Sequence, residues 1–182
     1  MRLFIAIEFP EWIREALSRD AALLRPACER GRFSRKENYH VTLAFLGETA
    51  SERVPAIVAA MEEVSSPPPV ISVGDLGVFR SREGNVLYRA VENDERLWRL
   101  QRRLSEALSA RGFVLEERAF SPHLTMARRA QLRPGETLEA LSARLRPARF
   151  TAREMTLLLS EQREGARVYM PLYQKSFTDT KT

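Results

Sequence analysis

The feature that most constrains the fold is a short pattern that occurs twice. His40 to Leu43 and His123 to Met126 both read His, apolar, Thr, apolar, and Ala follows each copy. These are the only two histidines of the chain, and they are separated by 83 residues. A spacing of two is the period of a β-strand, which places His and Thr on one face and the apolar pair on the other. Each copy therefore predicts a strand that presents an imidazole and a hydroxyl together.

The separation of 83 residues extends beyond the histidines, which indicates a repeat of larger units. Shifting the chain by this distance aligns LFIAIEF, from Leu3, with VLYRAVE, from Val86, and both have strand composition. EWIREAL, from Glu11, then aligns with DERLWRL, from Asp94. Both stretches predict the beginning of a helix, the second with Asn93 and Asp94 as N-cap candidates.

The same shift matches the elements that follow each histidine. The helix-like segment 51–64 aligns with 134–147, and the strand-like stretch from Val70 aligns with the one from Arg153. A further shift reaches a third strand-like stretch at Tyr169. Each half therefore reads strand, helix, HxT strand, helix, strand.

Strands joined through helices, with terminal strands free to pair antiparallel, predict an α+β fold. We expect residues 1–182 to form one domain of two similar lobes, with the HxTx motifs at 40–43 and 123–126. The halves are expected to meet in a turn near 80–84. If a rough twofold relates them, the two polar strand faces meet across a central cleft.

Composition indicates which membrane, compartment and partner to expect for the protein. No apolar run approaches the ~20 residues of a membrane span, so we expect no membrane partner and interpret the start as a strand. The lone cysteine, Cys28, favours a reducing compartment, the cytoplasm, and is expected to be a buried helix residue. Of the 29 basic residues 26 are arginines, which suit phosphate oxygens and are compatible with an RNA partner.

Two imidazoles and two hydroxyls around one volume suit metal-free phosphodiester chemistry. Without cysteines or carboxylates in a ligand pattern beside them, His40 and His123 make a poor metal site, so no metal or cofactor is expected. A neutral imidazole accepts a proton and a charged one donates it near neutral pH. Thr42 and Thr125 can donate hydrogen bonds to phosphate oxygens. Because the motifs are nearly symmetric, this reasoning leaves open which histidine is acid and which is base.

The paired motifs, with RLFIAIEFP before the first and FSPHLTMAR around the second, resemble the 2H phosphoesterases. Within them, these flanks are similar to the RNA 2′,3′-cyclic phosphodiesterases, historically called 2′-5′ RNA ligases. The resemblance covers nearly the whole chain. It implies a bilobal pseudo-twofold fold with two antiparallel sheets, each backed by helices, and a central cleft. It also implies hydrolysis of an RNA 2′,3′-cyclic phosphate end to a 2′-phosphate.

The resemblance further implies residue roles. His40 would be the proton donor to the leaving 3′ oxygen, His123 the proton acceptor from water, and Thr42 and Thr125 would hold the phosphate. Arg128 would contact the nucleotide, although a strictly alternating strand places a residue three after Thr125 on the opposite face.

Several further expectations accompany these roles. Arg129 is an alternative to Arg128 for the nucleotide contact, whereas Phe4 and Phe45 are expected in the core rather than beside the cleft. The partner is expected to be an RNA or nucleotide with a 2′,3′-cyclic phosphate end, and the protein a monomer. The same acid–base pair would also serve 2′-5′ phosphodiester cleavage or the reverse ligation. A non-catalytic RNA-binding module is the alternative outside enzymes.

Overall fold

The computed structural model describes residues 1–82, 84–92, 94–116 and 118–178. The elements form the α+β fold that the sequence predicts. The strands are β1 Arg2–Glu8, β2 Cys28–Phe33, β3 His40–Glu48, β4 Val70–Phe79, β5 Asn85–Val91, β6 His123–Leu132, β7 Ala148–Thr151, β8 Glu154–Arg163 and β9 Ala166–Ser176. The α-helices are α1 Glu11–Leu24, α2 Val54–Glu63, α3 Glu95–Ser109 and α4 Leu138–Ser142.

The strands form two antiparallel sheets, in the orders β3-β1-β8-β9 and β2-β6-β5-β4-β7. The sheets do not coincide with the sequence halves. Strand β8, from the second half, pairs with β1 in the first sheet, while β4, from the first half, pairs with β5 in the second. Each half therefore supplies a central strand to the other half's sheet. The connection between Phe79 and Asn85, where we expected the halves to meet, joins two paired strands of one sheet.

The offset between the first strands of the two halves is 82 residues, not the 83 that the sequence alignment predicts. Glu8 lies opposite His40, and Ala90 lies opposite His123, so β1 and β5 correspond with an offset of 82. The counterpart of Leu87 is therefore Ile5 rather than Phe4. Both are fully buried, as their shared place on the core face requires.

The first sheet has two distinct apolar faces. Leu3, Ile5 and Ile7 of β1 belong to the main core, which also includes buried residues of the second sheet and of the helices. The alternate residues Phe4 and Ala6 form a smaller cluster with Leu158 and Tyr169 on the opposite face. This second face is the one that carries His40, since Phe4 contacts its ring.

Helices α1 and α3 are tied to strands by polar contacts as well as by their apolar stripes. In α1, Asp20 forms a buried salt bridge with Arg89 of β5. In α3, Gln101 donates a hydrogen bond to the carbonyl oxygen of Leu43 in β3. Asp94 caps α3 by accepting from the backbone N–H of Leu97, as the sequence predicts, whereas Asn93 lies outside the described residues.

Three elements depart from the sequence-based expectations. The segment 134–147 forms only the short helix α4, and the edge strands β2 and β7 were not anticipated. Cys28 is buried, as expected, but it begins β2 rather than lying in a helix. Within the part of the chain that the structure describes, no helix is long and apolar enough to cross a bilayer.

Candidate active site

The two motifs lie on strands of different sheets, His40 and Thr42 on β3 and His123 and Thr125 on β6. Along each strand the buried residues Val41 and Leu124 alternate with the half-buried His and Thr, as the period of two requires. The apolar positions therefore anchor both strands in the core, while the imidazoles and hydroxyls project from its other side.

A cleft of about 670 Å³ brings most of the predicted site residues together. His40, Thr42, Thr125 and Arg128 all line it. His123 is not one of its lining residues, yet its charge acts on His40 and lowers the pKa of that imidazole. The geometry thus places both hydroxyls, one imidazole and the arginine around the cleft, with the second imidazole within electrostatic range.

Both imidazoles are held in the same way. The Nδ1 atom of His40 lies 2.7 Å from the carbonyl oxygen of Asn38, and Nδ1 of His123 lies 2.8 Å from that of Ser121. Because a carbonyl oxygen only accepts, each Nδ1 carries the hydrogen and donates it. The Nε2 atom of each ring is then the one left to exchange a proton with a substrate.

The histidine pKa values are shifted downward. Burial, reinforced by the positive charge of Arg128, lowers the pKa of His40 to about 4. Burial also lowers the pKa of His123, to which Arg128 and Arg118 contribute. At neutral pH and without substrate both rings are therefore neutral, with the Nε2 lone pair available as a base. A proton-donating role requires a bound anion that favours the charged ring.

A β-bulge in β6 explains how Arg128 reaches the cleft. Thr125 pairs with Tyr88 and Ala127 pairs with Leu87, so Met126 is an extra residue in the ladder. Met126 and Ala127 are consecutive buried residues, and the alternation of faces resumes one position later. Arg128 consequently returns to the face of the histidine, where strict alternation would not have placed it.

The equivalent bulge in β3 has the same effect on Phe45. Thr42 pairs with Ala6 and Ala44 pairs with Ile5, which leaves Leu43 as the extra residue. Phe45 is 37% exposed and lines the cleft, so its expected place in the core was wrong. The two bulges thus place an aromatic ring on one side of the cleft and a guanidinium group on the other.

Ser34, which the sequence did not single out, holds the bulge of β6. Its hydroxyl donates to the carbonyl oxygen of Thr125 at 2.8 Å, and its backbone N–H donates to that of Met126 at 2.8 Å. Both carbonyl groups are thereby satisfied at the irregular point of the ladder. No local motif announces this contact, because Ser34 and Thr125 are 91 positions apart.

Aromatic rings surround each imidazole. The ring of His40 lies 5.0 Å from that of Phe4 and 5.1 Å from that of Tyr169. Phe4 is 4% exposed, as expected for a core residue, but it also forms this wall of the site. The ring of His123 lies 4.8 Å from that of Phe79 and 5.4 Å from that of Tyr88. These rings restrict the rotation of the imidazoles and reduce their contact with water.

Arg129 also lines the cleft, in a backbone conformation with φ of 53°, which is uncommon for a residue with a side chain. Among the residues that the structure describes, no group of three or more His, Cys, Asp or Glu side chains is placed to hold a metal ion. The donors at the cleft include imidazole, hydroxyl and guanidinium groups, which suit proton transfer and anion binding.

Comparison with known proteins identifies the family. The chain belongs to the 2′-5′ RNA ligase superfamily, whose family model matches residues 13–164. It is 31% identical to the RNA 2′,3′-cyclic phosphodiesterase of Escherichia coli K12, with 97% of each chain covered. A Bacillus subtilis relative of the same name is 30% identical, over 69% of this chain and 70% of that protein. The match to a Geobacillus stearothermophilus relative spans only 42% of that protein's length.

Solved structures agree with the fold. The crystal structure of Escherichia coli LigT complexed with 3′-AMP has a TM-score of 0.83 and 29% identity, with 98% of each chain covered. The crystal structure of a phosphoesterase has a TM-score of 0.78 and 27% identity, also with 98% of each chain covered. The two-sheet α+β fold is therefore that of the 2H phosphoesterases.

Proposed function

We propose that the protein is an RNA 2′,3′-cyclic phosphodiesterase that opens the cyclic phosphate and leaves a 2′-phosphomonoester. The observation that carries this proposal is the cleft, where Thr42, Thr125 and Arg128 converge with the imidazole of His40, while the imidazole of His123 lies within electrostatic range. Each Nδ1 atom is held by a backbone carbonyl group, which leaves Nε2 to exchange protons. The names of the relatives support the same activity. An RNA or nucleotide is accordingly the substrate class.

The reaction needs one proton accepted and one donated. His123 accepts a proton at Nε2 from a water molecule, whose oxygen forms a new bond to phosphorus. The bond between phosphorus and the 3′ oxygen breaks, and His40 donates its Nε2 proton to that oxygen. The cyclic phosphate thus becomes a 2′-phosphate beside a 3′-hydroxyl, with the phosphate still attached to the 2′ oxygen.

Thr42, Thr125 and Arg128 stabilise the phosphate during this exchange. Hydroxyl and guanidinium donors beside the non-bridging oxygens become more effective as negative charge grows there. Because burial keeps the pKa of His40 near 4 in the free protein, its proton-donating role depends on the substrate. The bound phosphate anion raises the pKa of the facing imidazole and offsets the effect of Arg128.

We also propose the oligomeric state, the compartment and the substrate of the enzyme. We propose a monomer that acts in the cytoplasm, where its lone Cys28 stays reduced. The substrate carries a 2′,3′-cyclic phosphate at its RNA or nucleotide end. Catalysis is expected without a metal ion, because the proton transfers and charge stabilisation are assigned to side chains.

Turnover of a nucleoside 2′,3′-cyclic phosphate, with the product isomer identified, tests the proposal. Each single change, His40→Ala or His123→Ala, should reduce kcat by roughly 10² to 10⁴ while circular dichroism and the melting curve report a folded protein. EDTA should leave the rate unchanged. A His123→Ala variant with full activity would contradict the assignment.

Product analysis also separates the alternative activities. The same acid–base pair serves cleavage of a 2′-5′ phosphodiester or, run in reverse, joining of RNA ends. An oligonucleotide with a 2′-5′ linkage, assayed beside one with a cyclic phosphate end, distinguishes these reactions. Unchanged RNA affinity in the double His→Ala protein, with no turnover by the native protein, would indicate a binding module instead.

A further inference from the structure

A second groove, of about 690 Å³, lies beside the active cleft and is not used by the mechanism. Four arginines line it, together with small and polar residues of β2, β6 and the turn before β5. Its described lining consists of Arg30, Gly31, Arg32, Ser81, Arg82, Gly84, Asn85, Arg129, Ala130 and Gln131. No carboxylate occurs among these residues. We call this surface the arginine groove.

The arginines of this groove are available to a ligand. Arg30, Arg32, Arg82 and Arg129 are all exposed, and none forms a salt bridge with any residue for which the structure gives a position. Four guanidinium groups so close together repel one another, so their clustering carries an electrostatic cost. A bound polyanion removes that cost, because guanidinium groups form paired hydrogen bonds with phosphate oxygens.

The arginine groove and the active cleft are continuous. Arg32 and Arg129 line both. In the β2–β6 ladder Arg32 pairs with Arg128, and Arg30 pairs with Gln131 further along the same strands. Paired residues share a face of a sheet. A ligand that extends away from Arg128 along this face therefore meets Arg32 and then Arg30.

The floor of the groove is shaped by backbone geometry. Gly84, with φ of 107°, packs so closely that a Cβ there would lie 2.9 Å from the Cα of Arg129. Arg129 itself has a φ of 53°, a strained conformation for a residue with a side chain. This packing keeps Arg129 at the junction of the groove and the cleft.

We propose that the arginine groove binds the phosphate backbone of the RNA on the 5′ side of the reacting end. The inference rests on the proposed function, since the cyclic phosphate occupies the cleft and the rest of the strand must leave it. From Thr125 to Gln131 the strand spans on the order of 15 to 20 Å. The groove therefore has room for more than one phosphate, and the preferred substrate is an oligonucleotide rather than a mononucleotide.

Kinetics on two substrates test this assignment. The variant Arg30→Gln/Arg82→Gln removes two groove charges and leaves Arg32 and Arg129, which also line the cleft, unchanged. Its kcat/KM on a short RNA with a 2′,3′-cyclic phosphate end should fall roughly three- to tenfold, as for two exposed charge contacts. Its kcat/KM on a nucleoside 2′,3′-cyclic phosphate should stay within twofold of the native value.

Salt dependence and a matched control sharpen the test. For the oligonucleotide, the slope of log kcat/KM against log salt concentration should become less negative by about 1.4, or 0.7 for each lost contact with a single strand. The control Arg19→Gln/Arg144→Gln makes the same change in net charge at exposed positions that line neither the groove nor the cleft. This control should leave kcat/KM on both substrates, and the salt slope for the oligonucleotide, unchanged.

Equilibrium binding separates failure of this inference from failure of the proposed function. If the native protein turns over neither substrate, the proposed function is wrong. Binding of a fluorescent oligonucleotide with a 3′-phosphate end still decides the role of the groove, because it requires no turnover. Equal affinity of the native protein and Arg30→Gln/Arg82→Gln, or equal loss in the control, would overturn the assignment.

Discussion

Thr125 and Arg128 line the same cleft although they are three positions apart in β6. The extra residue at Met126 makes this possible, because it reverses the alternation of faces between them. Arg128 is therefore close enough to both imidazoles to lower the pKa of each. In the proposed mechanism, the bulge therefore couples phosphate binding by Arg128 to proton transfer by the histidines.

Replacing Arg128 with glutamine should shift the pH profile of kcat/KM toward higher pH. Without its positive charge, the pKa of both histidines rises, so both limbs shift to higher pH. The loss of a charge-assisted contact to phosphate should also reduce kcat/KM roughly ten- to a hundredfold. Arg118→Gln is the control, since Arg118 affects the pKa of His123 and should move one limb only. Unmoved limbs in Arg128→Gln would argue against the coupling.

His40 should make the protein less stable as the pH falls. Its pKa is about 4 when folded and has its ordinary value of 6.5 when unfolded, so the unfolded state binds more protons between these values. The contribution is fully present above pH 6.5 and is lost as the pH falls through 4, by roughly 3 kcal/mol.

Urea unfolding of the native protein and of His40→Gln at several pH values between 7 and 4 measures this contribution. Other groups titrate in both proteins, so the difference between their pH dependences isolates His40. The free energy of unfolding should fall less steeply in the variant. Parallel curves would show that the histidine is not desolvated in the folded state.

Gly77 should be essential for the position of Tyr88, which packs against His123. A Cβ at position 77 would overlap the ring of Tyr88, so Gly77→Ala must displace that ring or the strand. We expect a loss of about 1 to 3 kcal/mol in stability and a reduced kcat. Gly74→Ala, in the same strand, would make only ordinary contacts and is the matched control. A crystal structure of Gly77→Ala with Tyr88 unmoved would refute the prediction.

The salt bridge between Asp20 and Arg89 should contribute far more to stability than an exposed pair. Arg89 is 2% exposed and also donates to backbone carbonyl oxygens, including that of Arg146 at 3.0 Å. Asp20→Ala leaves a buried guanidinium group without its counterion, which should cost about 3 to 5 kcal/mol. Chemical denaturation measures the cost. The exposed pair of Glu95 and Arg99 provides the comparison, since Glu95→Ala should cost less than about 1 kcal/mol.

Local patterns accounted for most of the elements that carry the site. The alternation around His40 and His123 predicts the two strands, and Asp94 predicts the start of α3, because both signals depend on neighbouring residues. The prediction that Phe45 lies in the core was wrong because its position depends on residues that are not its neighbours in the sequence. A bulge depends on which residue the partner strand skips, and that partner is distant in the sequence.

The sequence by itself determined the class of chemistry: two histidines, each two positions before a threonine, on strands of a repeated unit. That information is local, since it follows from the period of a strand and from the side chains present. Only the tertiary structure decided that β4 and β8 exchange sheets, that bulges return Arg128 and Phe45 to the cleft, and that the arginine groove adjoins it. Each of these depends on pairing between strands that are far apart in the chain, which no local periodicity encodes.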